Sequence, residues 1–282
     1  MADQLLIFFQ AFPALDAAAI AKAINTSDTA ESEDCIAQDV DAQIRPSDDS
    51  TRQMGLGDEP LRISTLLLSL GEFHLSVIVH NLPAPDLSCI DNSRLRSDLK
   101  EQLRAHKAYA LLTLTGGEEY APIERAVFLF KTAFALAQDP LALGIGCPEG
   151  QTAIDRDVFL KLVEAPKQHE STLWASLRKD NVPLELFTNI LKVEHEGTRW
   201  FVTFGHNLLR LPDLALKADE QISDEQALEL LHGIRGYLLD NGPVIQPGHR
   251  LGGPGRAFIA SDPPEDLEFL KRDLGMLVIS AA

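Results

Sequence analysis

The 282-residue sequence has few cysteines, little positive charge and no long apolar run, and each shortage narrows what the protein is. Its three cysteines, Cys35, Cys89 and Cys147, are far apart and odd in number, so they offer neither a disulfide framework nor a paired Cys-x-x-Cys metal knuckle. That pattern suits a reducing compartment. Lys and Arg number 25 against 42 acids, a formal charge of −17, and no basic stripe is visible, which argues against nucleic acid and anionic membrane as partners. Asp3 stands before the first apolar run and no base appears until Lys22, which is wrong for a secretory signal. No apolar stretch is long enough to span a bilayer. A cytoplasmic protein is the expectation, and a partner with a basic surface would suit its charge.

What is present is organised around residues 106–149. Ala108 to Thr115 is apolar apart from hydroxyls, short, and closed by Gly116-Gly117, as a strand covered on both faces is. Pro122 then sits where a first helical residue belongs, its fixed φ suited to that position and its missing amide hydrogen not needed there. From Ile123, apolar residues recur at three- and four-residue spacing to Ala137, and Asp139-Pro140 stops the helix. Leu141 to Gly146 reads as the next strand. Earlier, Leu5–Phe9 predicts a strand and Leu15–Ile24 a helix, while Leu61–Leu70 and Phe73–Val79 have hairpin spacing around Gly71-Glu72. Leu95–Leu103 predicts a short amphipathic helix.

Between these, residues 28–59 hold ten acids and two bases, and most of this segment is expected to be a solvated, mobile insertion. The order to Gly146 predicts an α+β fold, a ferredoxin-like sheet-and-helix layer over residues 1–165, followed by a smaller α+β lobe over 166–282. In that lobe Leu184–Val193 and Trp200–Phe204 predict a hairpin around Glu196-Gly197, and Leu208–Leu216, with its internal Pro212, an edge strand. Ser223-Asp-Glu-Gln226 has capping-box spacing and opens a helix to about Leu239. Asp240-Asn-Gly-Pro243 stops it. Val244-Ile245 and Ala257–Ala260 read as strands, Glu265–Leu274 as a helix and Met276–Ile279 as a last strand.

Several segments in order resemble the family catalogued as domain of unknown function 4261. They are Ala105-His106-Lys-Ala-Tyr109, Phe130-Lys131, Ala142-Leu-Gly-Ile145, Thr203-Phe-Gly-His206 with Leu211-Pro-Asp-Leu214, and Tyr237 to Gly242 with Gly248-His-Arg-Leu-Gly252. The family tends to carry an acid and a hydroxyl where this chain has His249-Arg250. The resemblance implies an α+β fold and carries no catalytic residue with it.

Candidate chemistry is sparse. Gly144-Ile-Gly146-Cys-Pro-Glu-Gly150 is similar to a dinucleotide loop, but its last glycine is one position late and Pro148 removes an amide that phosphate would want. Cys147 at a strand end could act as a nucleophile if His106, His74 or His80 approached it. His206 with Asp213 could move a proton, but no metal-ligand spacing accompanies them, and neither a metal nor a cofactor is expected. His249, Arg250 and Gly252 are ligand-binding candidates, since a guanidinium grips a carboxylate in a fork and glycine admits a ligand to the backbone. Trp174 is a candidate exposed contact, while Tyr237, Phe201 and Trp200 read as core or lobe-interface aromatics. The leading expectation is a non-catalytic protein-binding or regulatory module, in the manner of an immunity protein. The alternative is a small hydrolase or transferase using a Cys/His or His/Asp site between the lobes.

Overall fold

In a computed structural model, residues 3–26, 36–45, 58–70, 72–116, 122–164, 186–253, 255–271 and 275–282 are described. The chain divides into two compact units, Met1–Leu186 and Phe187–Ala282. The boundary expected after residue 165 falls at the edge of 165–185, which lie outside the described residues, as does Trp174. Both units are mixed α+β, each with its own sheet.

The first sheet has seven strands: β1 (Asp3–Phe9), β2 (Ile36–Arg45), β3 (Leu61–Leu70), β4 (Phe73–His80), β5 (Ala108–Thr115), β6 (Ala142–Cys147) and β7 (Thr152–Asp155). Their order is β2-β3-β4-β5-β1-β6-β7, every neighbouring pair antiparallel. The strand expected to be central is the fourth of seven. Helices α1 (Ala17–Thr26) and α4 (Pro122–Ala137) contact each other, and α4 packs on β1, β5 and β6. The short helices α2 (Ser88–Asp91) and α3 (Ser97–Arg104) instead supply Cys89, Ile90 and Leu103 to a cluster with Leu6 and Phe8. Alternate β1 side chains point to opposite faces, so Leu6 and Phe8 meet this cluster while Leu5, Ile7 and Phe9 are buried on the other side. That is why β1 carries an unbroken apolar run.

Arg125, on the first turn of α4, ties this layer together. Its guanidinium donates to the Asp3 carboxylate at 2.9 and 2.8 Å and to the Gly116 carbonyl, joining helix, β1 and the end of β5. The other helix of the unit, α5 (Arg156–Glu164), packs beside β6 and β7.

Within the acidic segment, Ile36–Arg45 form a strand that the sequence reading does not anticipate, pairing with β3 from Ile36↔Ser69 to Arg45↔Leu61 across one bulge. Pairing at a sheet edge satisfies backbone groups without requiring a large apolar face, and acids on an edge strand discourage further pairing. The rest of that segment to residue 57 lies outside the described residues.

The second sheet runs β11-β12-β13-β10-β9-β8, with β8 (Asn189–His195), β9 (Thr198–Phe204), β10 (Asp213–Ala218), β11 (Arg250–Gly253), β12 (Arg256–Ser261) and β13 (Met276–Ala281). Helix α6 (Asp224–Asn241) begins at the expected capping box, with Gln226 N donating to Ser223 Oγ and Ser223 N to Gln226 Oε1. It ends at Gly242, whose φ of 77° suits a residue without Cβ. The Glu196-Gly197 turn has positive φ at both residues, as a tight hairpin requires.

Three expectations are corrected. The strand around Pro212 is not an edge: β10 starts after the proline and lies between β9 and β13, so the missing amide hydrogen falls outside the ladder. Val244-Ile245 is loop, because Val244 N turns back to the Gly242 carbonyl. Over its described part, residues 265–271, the expected last helix is only a 3-10 turn over Glu268–Leu270, since Leu267 N and Leu270 N bond the carbonyls three residues back; residues 272–274 lie outside the described residues.

Candidate functional site

Cys147 ends β6 with its side chain buried, and the strand turns through Pro148–Gln151 into β7 rather than into a helix. No helix N-terminus therefore meets a phosphate in the dinucleotide manner. The two glycines before it have a packing reason. A Cβ on Gly146 would stand 2.9 Å from both Cys89 Sγ and the Phe8 ring, and one on Gly144 would stand 2.6 Å from the Ile154 carbonyl oxygen. Burial pushes the Cys147 thiol far above its ordinary range and the Cys89 thiol up to about 12. Both are thiols at neutral pH, and nucleophilic chemistry needs the thiolate.

His106 does not supply the missing base. Its Nδ1 donates to the Leu103 carbonyl at 2.7 Å and its Nε2 accepts from Ala84 N at 2.7 Å, so both ring nitrogens are occupied in the neutral form. Burial lowers its pKa, consistent with that form, and its ring leans on Phe8 with centroids 5.0 Å apart. His74 and His80 lie on β4, three strand spacings or roughly 14 Å from β6, well beyond the reach of proton transfer.

In the second unit, the structure does bring His206 and Asp213 together. Gly205, with φ of 90°, turns the chain into a 3-10 turn over His206–Leu209, and the Asp213 carboxylate accepts from Thr203 Oγ at 3.0 Å and His206 N at 3.3 Å. The contact is to the histidine's backbone. Its ring instead donates from Nδ1 to the Pro212 carbonyl at 3.1 Å, leaving Nε2 buried with no hydrogen-bond partner among the described residues. Burial and the nearby Arg235 charge push the ring down to about 4, so it is neutral at pH 7. Among the described residues, no three His, Cys, Asp or Glu side chains gather to hold a metal.

The remaining three candidates converge. His249, Arg250 and Gly252 all line one open groove of about 990 Å³ between α6 and the segment running from Val244 through β11. Its helix wall carries Glu229, Gly233 and Tyr237, spaced four apart and therefore on one stripe. Tyr237 is 52% exposed and Val244 43%, which places two large apolar side chains in water at the same groove. Among the described residues neither Glu229 nor Arg250 makes an ion pair, whereas Arg256 on the adjoining strand binds Asp219 at 2.6 and 3.0 Å. The His249 ring, by contrast, accepts from Gln246 N at 3.4 Å.

Tyr237, read from the sequence as a core or lobe-interface aromatic, is half exposed and lines this groove. The legible signal was periodicity: Ala227, Leu230, Leu231, Ile234 and Leu238 form the buried stripe of α6, and Glu229, Gly233 and Tyr237 fall off it. The β11 strand had no signal of its own, because Arg-Leu-Gly-Gly carries little strand propensity.

No protein-family model, curated protein or solved structure matches the chain. Among the described residues no helix is long and apolar enough to cross a membrane.

Proposed function

We propose that the chain is a cytoplasmic, non-catalytic protein-binding or regulatory module, immunity-like in masking its partner, and that the α6/β11 groove is where the partner sits. The observation that carries this reading is the contrast in commitment. Cys147, His106 and His206 are buried and uncharged at neutral pH, while Tyr237, Val244, Glu229 and Arg250 stand open around one groove. An exposed apolar patch rimmed by charge is the signature of an interaction surface, and a formal charge of −17 favours a partner with a basic exterior.

Two finer readings accompany it. The inner strands β6-β1-β5-β4, with α1 and α4 in the crossovers, support a ferredoxin-like core in the first unit, to which β2, β3 and β7 are added. The ordered segments named above support membership of the domain of unknown function 4261 family, which brings no activity with it.

The test is a native mass spectrum of the protein purified from its own host, beside an Arg250→Glu variant prepared the same way. The reading expects a stoichiometric protein partner on the parent chain and its loss from the variant. A retained small molecule in place of a protein, or a partner indifferent to the substitution, contradicts it.

A further inference from the structure

Strand β11 is the edge of the second sheet, and the hydrogen-bond phase of its neighbour fixes which of its backbone groups are spare. Ala282 N donates to the Ala257 carbonyl, so Ala257 bonds toward β13, and alternate residues of β12 bond the other way. Gly248 N donates to the Ala260 carbonyl and Ala260 N to the His249 carbonyl, which confirms that phase. With Phe258 opposite Leu251 and Arg256 opposite Gly253, the residues bonding inward are Leu251 and Gly253. Arg250 and Gly252 therefore turn their N–H and C=O groups outward, two donors and two acceptors spaced as a ladder.

The groove beside this ladder has room that the chain itself does not use. A Cβ at Gly233 on the helix wall would meet nothing within 4 Å, although glycine in a helix interior is destabilising relative to alanine, and on the opposite face of β11 a Cβ at Gly252 would likewise meet nothing. Gly253 is different, since its Cβ would strike the Phe258 ring at 2.4 Å and stand 3.2 Å from Leu230. The helix-side face of β11 is thus sealed at one end and open along its edge.

We infer that the groove takes an extended segment of a partner protein, which adds to β11 as a further strand through the backbone of Arg250 and Gly252. The inference rests on the groove being the binding surface. Strand addition draws affinity from main-chain hydrogen bonds and specificity from alternate side chains. The segment's inward side chains are apolar, matching Tyr237, Val244 and Leu251, and an acidic side chain in register with Arg250 pairs its free guanidinium. A second copy of the chain is disfavoured as the occupant, because two bodies of charge −17 repel.

The probe is a pool of acetylated, amidated octapeptides alternating Val, Leu or Ile with Ser or Thr, one polar position being Glu. A matched pool carries Lys there. Fluorescence anisotropy with the full-length protein is expected to show the Glu pool binding at least tenfold tighter than the Lys pool. Gly252→Pro removes an outward N–H without touching the inward ladder, a placement that edge strands tolerate, and is expected to weaken binding tenfold or more. Arg250→Ala is expected to erase the preference for Glu. Equal binding of both pools, no binding of either, or full affinity in a folded Gly252→Pro protein each overturns strand addition. If the host partner is nevertheless lost from Arg250→Glu, the groove remains the binding surface and only the mode of docking fails.

Discussion

Two glycine-bearing segments, Gly144–Cys147 in the first unit and Gly248–Gly253 in the second, look alike in sequence and are opposite in structure. In the first, the missing Cβ atoms make room for the chain's own Phe8, Cys89 and Leu103, and the reactive-looking cysteine is part of the filling. In the second, Gly253 is packed in that way against Phe258, but the space at Gly248 and Gly252 is empty. The same contrast separates two arginines. Arg125 is buried against Asp3, whereas Arg250 is exposed, with no ion pair among the described residues. Residue type therefore says little about function here; whether the chain already uses the residue says much more.

Breaking the committed side should have large consequences for stability. Asp3→Ala strands the Arg125 guanidinium in a site where it is 2% exposed, and should destabilise the first unit by about 3–5 kcal/mol. Arg250→Ala should change stability by less than about 0.5 kcal/mol, and urea denaturation of both variants measures the difference.

The buried His206 ring gives the next effect. Its folded pKa near 4 lies below the ordinary 6.5, so the unfolded chain takes up the proton first. Its contribution is fully present above pH 6.5 and is lost as the pH falls toward 4, on the order of 3 kcal/mol in all. Denaturation followed by tryptophan emission at pH 7.0, 5.5 and 4.5 should show that slope, and His206→Asn, whose amide can still donate to the Pro212 carbonyl, should flatten it.

The glycines themselves give the smallest and sharpest pair. Gly146→Ala forces the Phe8 ring or Cys89 to move and should cost about 1–3 kcal/mol. Gly252→Ala meets nothing and should shift stability by less than about 1 kcal/mol in either direction. Paired melting curves decide it.

Much of the fold was legible because its signals are local. The apolar run at Ala108–Thr115, Pro122 at the start of α4, the Glu196-Gly197 turn and the Ser223 capping box each specify an element from neighbouring residues alone. The misses needed tertiary information. Ile36–Arg45 becomes a strand only because β3 is there to pair with it, and β11 only because β12 is. The candidate site was half legible: His249, Arg250 and Gly252 stood out by residue type, while Tyr237 and Gly233 become groove residues only when α6 is placed and its buried stripe is known. Cys147 and His106 drew notice for their chemistry, and only burial and hydrogen bonding show that their groups are already in use.

The most direct measurement is amide hydrogen exchange across the whole chain, in the complex purified from the host and in the same protein stripped of its partner. The account predicts that exchange slows on binding at Arg250 and Gly252 and along the Glu229–Tyr237 stripe, with β6 and the His206 turn unchanged. Protection centred on Cys147 or His206, with β11 exchanging as freely in the complex as alone, would contradict it.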